Sequence, residues 1–218
     1  MFVKDRMTAQ PLVVITPEAP ITEAQRLMQE HSVRHLPVVE DHDRLVGLLT
    51  RETVIKAIPW SAASLSALET RYILSKIKVG KVMLRDFITT TEDVPVEEAA
   101  RVMVDHKLTC LPVLRQTRLV GIITDIDLLS IAAEMLGARR PGVRLSVLVH
   151  DKPGEMARLS AAIAAVGGNL AAFGSWKGQL PPDRLGIVLK VDRISKEELL
   201  PAVECLEDVE ILDVRIAA

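Results

Sequence analysis

The chain reads as α+β: two copies of a β-α-β-β-α unit, then a different β-α-β-β-α-β unit. Three observations predict this. Residues 7–56 align with residues 83–130 as an internal repeat. Within each copy, short β-branched runs alternate with stretches of helical spacing. Beyond a breaker at Gly137-Ala138-Arg139-Arg140-Pro141-Gly142 the repeat stops and a new order of runs begins.

The repeat holds residue by residue. Thr16 meets Thr91, Glu23 meets Glu98, Arg26 meets Arg101, Met28 meets Met103 and His31 meets His106, a shift of 75 positions (16 to 91). Leu36-Pro37-Val38 meets Leu111-Pro112-Val113. The shift then becomes 74 (47 to 121), so that Arg44-Leu45-Val46-Gly47 meets Arg118-Leu119-Val120-Gly121 and Thr50 meets Thr124. The dropped residue falls between Asp41-His42-Asp43 and Gln116-Thr117, where a hairpin loop tolerates it.

Each copy predicts the same elements in order. A β-branched strand comes first, Leu12 to Thr16 or Phe87 to Thr91. An amphipathic helix follows, Ile21 to His31 or Val96 to His106. Two strands then form a hairpin: Pro37 to Val39 with Leu45 to Leu49, and Pro112 to Leu114 with Leu119 to Ile123. A second helix starts near Thr50 or Thr124. Between the copies, Pro59 to Ser64 reads as a small-residue loop and 65–78 as a linker helix, with Leu65, Leu68, Tyr72 and Leu74 as an imperfect apolar stripe. It is either a plain connector or an element that meets a partner.

The last 75 or so residues predict strands Val143 to Val149, Leu170 to Trp176, Leu185 to Val191 and Val209 to Ile216. Helices Glu155 to Val166 and Ser195 to Leu206 separate them. Gly167-Gly168-Asn169 is a left-handed helix stop. Ser195 and Glu198 form a capping box. The order is that of a ferredoxin-like unit.

Composition removes several function classes. With 49 % hydrophobic residues an aliphatic core is available, and with 3 % aromatics no stacking platform for single strands is. Against 29 acidic residues, 27 basic ones leave a net charge of −2, which gives no footprint for nucleic acid and no polybasic membrane patch. No apolar run is long enough to span a bilayer, and Met1 to Arg6 does not start a signal peptide. Cys110 and Cys205 have no metal spacing, so a reduced, cytoplasmic chain is expected. His31 and His106 stand near helix ends as caps, without ligand partners. No nucleophile–base arrangement, P-loop or Gly-x-Gly-x-x-Gly occurs, so a non-enzyme is expected.

The chemistry concentrates in Gly121-Ile122-Ile123-Thr124-Asp125-Ile126-Asp127. Here a buried strand runs into a helix. Thr124 and Asp127 either cap that helix or aim a hydroxyl and a carboxylate at one ligand, since a carboxylate can accept both hydroxyls of a ribose. In the first copy the corner is Gly47-Leu48-Leu49-Thr50-Arg51-Glu52-Thr53, so Thr53 stands where the second copy has Asp127.

The Leu-Pro-Val strands, the Leu-Val-Gly strands and the Gly-x-x-Thr-x-x-Asp corner resemble tandem CBS motifs, a Bateman module. The resemblance spans residues 1–136, with repeats at about 7–56 and 83–133. Residues 143–218, carrying Asp-Lys-Pro-Gly and Gly-Gly-Asn, resemble an ACT domain. The order of the three resembles acetoin-utilisation AcuB-type proteins of bacteria. The CBS resemblance implies an adenosyl ligand (AMP, ADP, ATP or S-adenosylmethionine) and no metal. It places ribose on Thr124 and Asp127, beside Ile123. It places the base against Met83, Asp86, Phe87 and Ile88, with Thr50 as the first-copy equivalent of Thr124. Phosphates are expected at Arg34 and His35, reaching across from the other copy, with Arg favoured by its fork geometry; the alternative for Arg34 is a solvated charge. The second copy has Thr109-Cys110 there, so one competent site per chain is expected. The ACT resemblance implies amino-acid binding by Asp151, Gly154 and Asn169, or dimerisation alone. Asp151 replaces the neutral amide of many amino-acid-binding members. The reading is a regulatory protein, homodimeric, that signals to a regulated enzyme, with acetoin or acetate metabolism suggested by the architecture. Its rivals are an amino-acid sensor and a structural oligomerisation subunit.

Overall fold

The computed structural model describes residues 1–57 and 66–217. The expected loop at Pro59 to Ser64, and Leu65, lie outside them. The chain divides into two units, Met1–Leu128 and Leu129–Ala218. Among the described residues, no helix is long and apolar enough to cross a membrane.

In the first unit the repeated hairpins form as their patterns dictate. Helix α1 (Ile21–Glu30) leads to strands β2 (His35–Glu40) and β3 (Arg44–Thr50), and α5 (Val96–His106) to β5 (Cys110–Arg115) and β6 (Arg118–Thr124). A short strand β1 (Thr8–Ala9) precedes α1, and β4 (Thr90–Thr91) precedes α5. The sheet runs β2-β3-β6-β5-β4, with β1 pairing β6. Equivalent registers hold in both hairpins: Leu36 faces Leu49 and Leu111 faces Ile123, and all four are fully buried. The β2–β3 loop turns through Asp41–Asp43, with His42 and Asp43 at positive φ.

Three predictions need correction. Leu12 to Thr16 does not form a strand: Pro11 and Pro17 flank it, and only Ile15 bridges to Val38. Phe87 to Thr91 pairs only through Thr90 and Thr91. The predicted linker helix is shorter than 65–78. It runs as α3 (Ala67–Lys76), capped reciprocally by Ser66 and Glu69, with Leu74 buried and Tyr72 exposed. A separate turn that the spacing does not predict, α4 (Val79–Val82), follows it.

The lead-in of each copy packs on the other copy. At the N-terminus, Val3 N–H donates to Val94 O (2.9 Å), Phe2 bridges to Pro95, and Thr8 pairs with Ile122. In the second lead-in, Val79 N–H donates to Ala19 O (2.9 Å), Lys78 bridges to Pro20, and Leu84 exchanges both backbone bonds with Leu48. The motif glycines permit this exchange. A Cβ at Gly121 would stand 3.0 Å from Thr8 O and one at Gly47 3.2 Å from Leu84 O, each also clashing with a methionine sulfur, Met7 or Met83.

The second sheet orders its strands β10 (Glu210–Ala217), β7 (Gly142–His150), β9 (Arg184–Asp192) and β8 (Asn169–Trp176), all antiparallel. Helices α7 (Glu155–Ala165) and α8 (Lys196–Glu204) supply Leu159, Ile163, Leu199 and Val203 to one core. The sheet meets them with Leu145, Val147, Ile187 and Leu189. This is the ferredoxin-like order that the pattern predicts. Gly167 takes φ +83° at the end of α7, and Ser195 and Glu198 cap α8 reciprocally.

Candidate functional site

Strand β6 ends at Thr124, and helix α6 (Asp125–Met135) begins one residue later. Asp127 Oδ2 accepts from Thr124 N–H (2.8 Å) and from the Thr124 hydroxyl (2.7 Å), while Asp127 N–H lies 3.4 Å from Thr124 Oγ1. The capping role is therefore real. It commits one carboxylate oxygen and leaves Oδ1 without a partner among the described residues.

The first-copy corner is built differently. Thr50 caps α2 (Arg51–Lys56) by accepting from Thr53 N–H (3.2 Å). The Thr53 hydroxyl donates to Thr50 O (2.8 Å) and accepts from Thr50 N–H (3.0 Å), so its hydrogen is already spent within the turn. A carboxylate keeps acceptor capacity after capping; a hydroxyl bonded this way keeps little.

A cavity of about 310 Å³ opens at the second-copy corner. Thr124, Asp127, Ile126 and Ile122 form one wall. Arg34, His35 and Pro37 come from the first copy, with Thr8, Pro11, Leu12 and Val13 of its lead-in closing the apolar side. Arg34 Nη2 donates to Asp125 Oδ1 (2.9 Å), and His35 Nε2 lies 2.8 Å from the Thr109 hydroxyl, so this pair bridges the two copies. Burial, and then the Arg34 charge, push the His35 imidazole below its ordinary pKa against the pull of Asp125. Cys110 is buried at the start of β5, and desolvation together with Asp125 pushes its thiol up to about 12, which leaves it an inert thiol. Among the described residues no group of His, Cys, Asp and Glu could hold a metal ion.

The structure brings Thr124, Asp127, Arg34 and His35 around one cavity and leaves the other predicted residues elsewhere. Met83 is buried in the first-copy core. Phe87, like Leu12, packs against the cluster of Leu48, Cys110 and Ile122, and Asp86 is exposed. Ile88 is half-buried and absent from the cavity wall, Ile123 is fully buried in the sheet, and Thr50 caps the other corner. The apolar side is instead Pro11 to Val13. The repeat relates Met7 to Met83, but repetition alone does not say that each lead-in serves the opposite corner. In the second unit, Asp151 pairs with Lys177, Asn169 Nδ2 donates to Asp192 Oδ1 (2.8 Å), and Gly154 stands at φ +94° before α7 with open space at its Cα.

Residues 3–59 and 79–134, more than half of the chain, match the CBS domain family. The chain belongs to the CBS domain family. Its two matched stretches are the paired copies described above, and a CBS pair is a regulatory rather than a catalytic module. The CBS domain-containing protein YhcV of Bacillus subtilis is 30 % identical over 149 residues, 68 % of this chain and 96 % of that one. The inosine-5′-monophosphate dehydrogenase of Methanocaldococcus jannaschii is 32 % identical over 162 residues, 74 % of this chain. This chain spans only 30 % of that enzyme. Among solved structures, one described as an acetoin utilization protein (AcuB) from Vibrio cholerae shares 29 % identity at a TM-score of 0.52, covering 64 % of this chain and 95 % of that one. The CBS pair of protein MJ0100, in complex with 5′-methylthioadenosine and S-adenosyl-L-methionine, shares 28 % identity at a TM-score of 0.51, covering 62 % and 97 %. CBSX2 in complex with AMP shares 27 % identity at 0.50, covering 61 % and 96 %.

Proposed function

We propose that this chain is a regulatory sensor whose CBS pair takes one adenosyl ligand, in the cavity between the Thr124–Asp127 corner and the first-copy lead-in. One observation carries the reading: a free carboxylate oxygen, an arginine and an apolar wall meet around about 310 Å³ of space, within the size range of small-molecule pockets. Ribose hydroxyls bond Asp127, the base lies against Pro11, Leu12 and Val13, and Arg34 meets the 5′ substituent. The adenosyl ligands of MJ0100 and CBSX2 support this chemistry. Arg34 leaves Asp125 when an anionic ligand arrives, which loosens a bond between the copies. A ligand shifts such an equilibrium only by its difference in affinity for the two states.

The second unit we read as an ACT-like domain that dimerises the chain and passes the signal on. Asp151 and Asn169 already have partners in Lys177 and Asp192, which favours this over amino-acid sensing. A role in acetoin or acetate metabolism rests on the likeness to the Vibrio cholerae protein. A thermal-shift screen with AMP, ADP, ATP, S-adenosylmethionine, 5′-methylthioadenosine and single amino acids tests the proposal. Stabilisation by adenosyl compounds supports it; stabilisation by amino acids alone sinks it.

A further inference from the structure

The net charge of −2 hides a strong segregation along the chain. Residues 70–85, the connector between the two copies, hold five cations (Arg71, Lys76, Lys78, Lys81 and Arg85) and no acidic residue. Residues 197–213, near the end of the second unit, hold seven acidic residues and no cation. All five cations are exposed, and none pairs with a carboxylate among the described residues.

The connector presents its charges together. Lys76 and Lys78 flank the extended Ile77 (φ −85°, ψ 121°), which puts their side chains on one side of the backbone. Lys81 follows Lys78 by three residues around the turn of α4, its N–H donating to Lys78 O (3.0 Å), so these two are neighbours as well. Arg85 Nη2 folds back to donate to Gly80 O (3.1 Å). Lys76 Nζ stands 5.0 Å from the ring centre of exposed Tyr72. The first copy holds this turn in place: Val79 N–H donates to Ala19 O and Gly80 N–H to Pro17 O, both at 2.9 Å. The charges are therefore preorganised on a fixed backbone.

The acidic stretch is likewise largely unspent. Leu199 and Val203 turn one face of α8 into the core. Glu197 and Glu204, seven residues apart, share a stripe on its exposed side. Glu207 and Asp208 are exposed in the turn before β10. The carboxylates of Glu197, Glu204 and Glu207 have no partner among the described residues, and Asp208 has Lys152 at 3.9 Å.

We propose that the basic connector of one copy docks against the acidic α8 side of a second copy. The two surfaces are opposite in charge and occur in one sequence, so every copy carries both halves of the contact. A nucleic acid or an anionic membrane meets a chain that is net negative, whereas a second copy offers the complement itself. A two-fold arrangement makes the contact twice per dimer. Single exposed ion pairs are weak, so the strength lies in their number and the contact is salt-sensitive. The proposal goes beyond the adenosyl reading and does not rest on it.

The test is sedimentation velocity of the full chain and of two charge-reversed variants, Lys78→Glu with Lys81→Glu and Glu204→Lys with Glu207→Lys. The native chain should self-associate on the order of tenfold more tightly at about 50 mM salt than at about 500 mM. At low salt each reversed variant alone should associate on the order of tenfold or more weakly than the native chain. Mixed together, the two variants should associate about as tightly as native copies, because each connector then meets a surface of opposite sign. All four side chains are exposed, so far-ultraviolet circular dichroism should be unchanged; the neutral pair Lys78→Gln with Lys81→Gln should show a smaller loss in the same direction. Unchanged association of either reversed variant overturns the docking, and so does a loss in both that mixing does not rescue. Binding of single-stranded DNA or of phosphatidylglycerol vesicles that Lys78→Glu with Lys81→Glu abolishes, while self-association stays as in the native chain, overturns it and assigns the connector to a polyanion.

Discussion

Replacing Asp127 by alanine separates a cap from a ligand site. The carboxylate caps Thr124 through Oδ2 and has Oδ1 to spare. Losing a helix cap costs about 0.5–2 kcal/mol of stability. Losing one charge-assisted bond to a ribose hydroxyl costs about 1.5–3 kcal/mol of binding. The expected loss of affinity is thus roughly ten- to hundredfold. Thr53→Ala is the control, because Thr53 likewise accepts from the backbone N–H of its corner threonine, Thr50, and does not line the Asp127 cavity. The two variants should unfold at similarly lowered urea midpoints, and only Asp127→Ala should lose ligand affinity in calorimetric titration with AMP. Equal affinity losses in both, or an unchanged affinity in Asp127→Ala, would refute the reasoning.

Other outcomes follow from the same geometry. The His35 imidazole has its pKa lowered by burial and by Arg34, so its contribution is fully present above the ordinary value of 6.5 and is lost as pH falls through the depressed folded value. Urea denaturation should therefore show less stability at low pH, and His35→Gln should flatten that part of the profile. The Cys110 thiol, pushed up to about 12 and buried, should resist alkylation in the native chain while exposed Cys205 reacts; labelling of both at equal rates would contradict its burial. Gly121→Ala forces a Cβ to within 3.0 Å of Thr8 O, and overpacking of this kind costs about 1–3 kcal/mol, measurable as a lower urea midpoint. Leu111→Ala empties a fully buried position in the sheet and should cost about 2–5 kcal/mol.

Most of the fold was legible because its strands announce themselves. Leu36-Pro37-Val38 and Leu45 to Leu49 are buried β-branched and aliphatic runs around a short turn, and the repeat doubled every such signal. The second sheet followed from four apolar runs and two capped helices. Three things were not legible, for physical reasons. Leu12 to Thr16 has strand composition, but strand pairing needs a free partner edge, and only Ile15 finds one at Val38. The short helix at Val79-Gly80-Lys81-Val82 has no periodicity to detect. The crossing of the lead-ins is a tertiary fact, set by Met7 packing on Gly121 and Met83 on Gly47. Because of it, the apolar wall beside Asp127 comes from Pro11 to Val13 rather than Met83 to Ile88.

The most direct measurement is the stoichiometry of adenosyl-ligand binding to the full chain by isothermal titration calorimetry. The asymmetry between Asp127 and Thr53 predicts one ligand per chain, abolished or strongly weakened by Asp127→Ala. Two equivalent sites per chain, or no heat with any adenosyl compound, would contradict it.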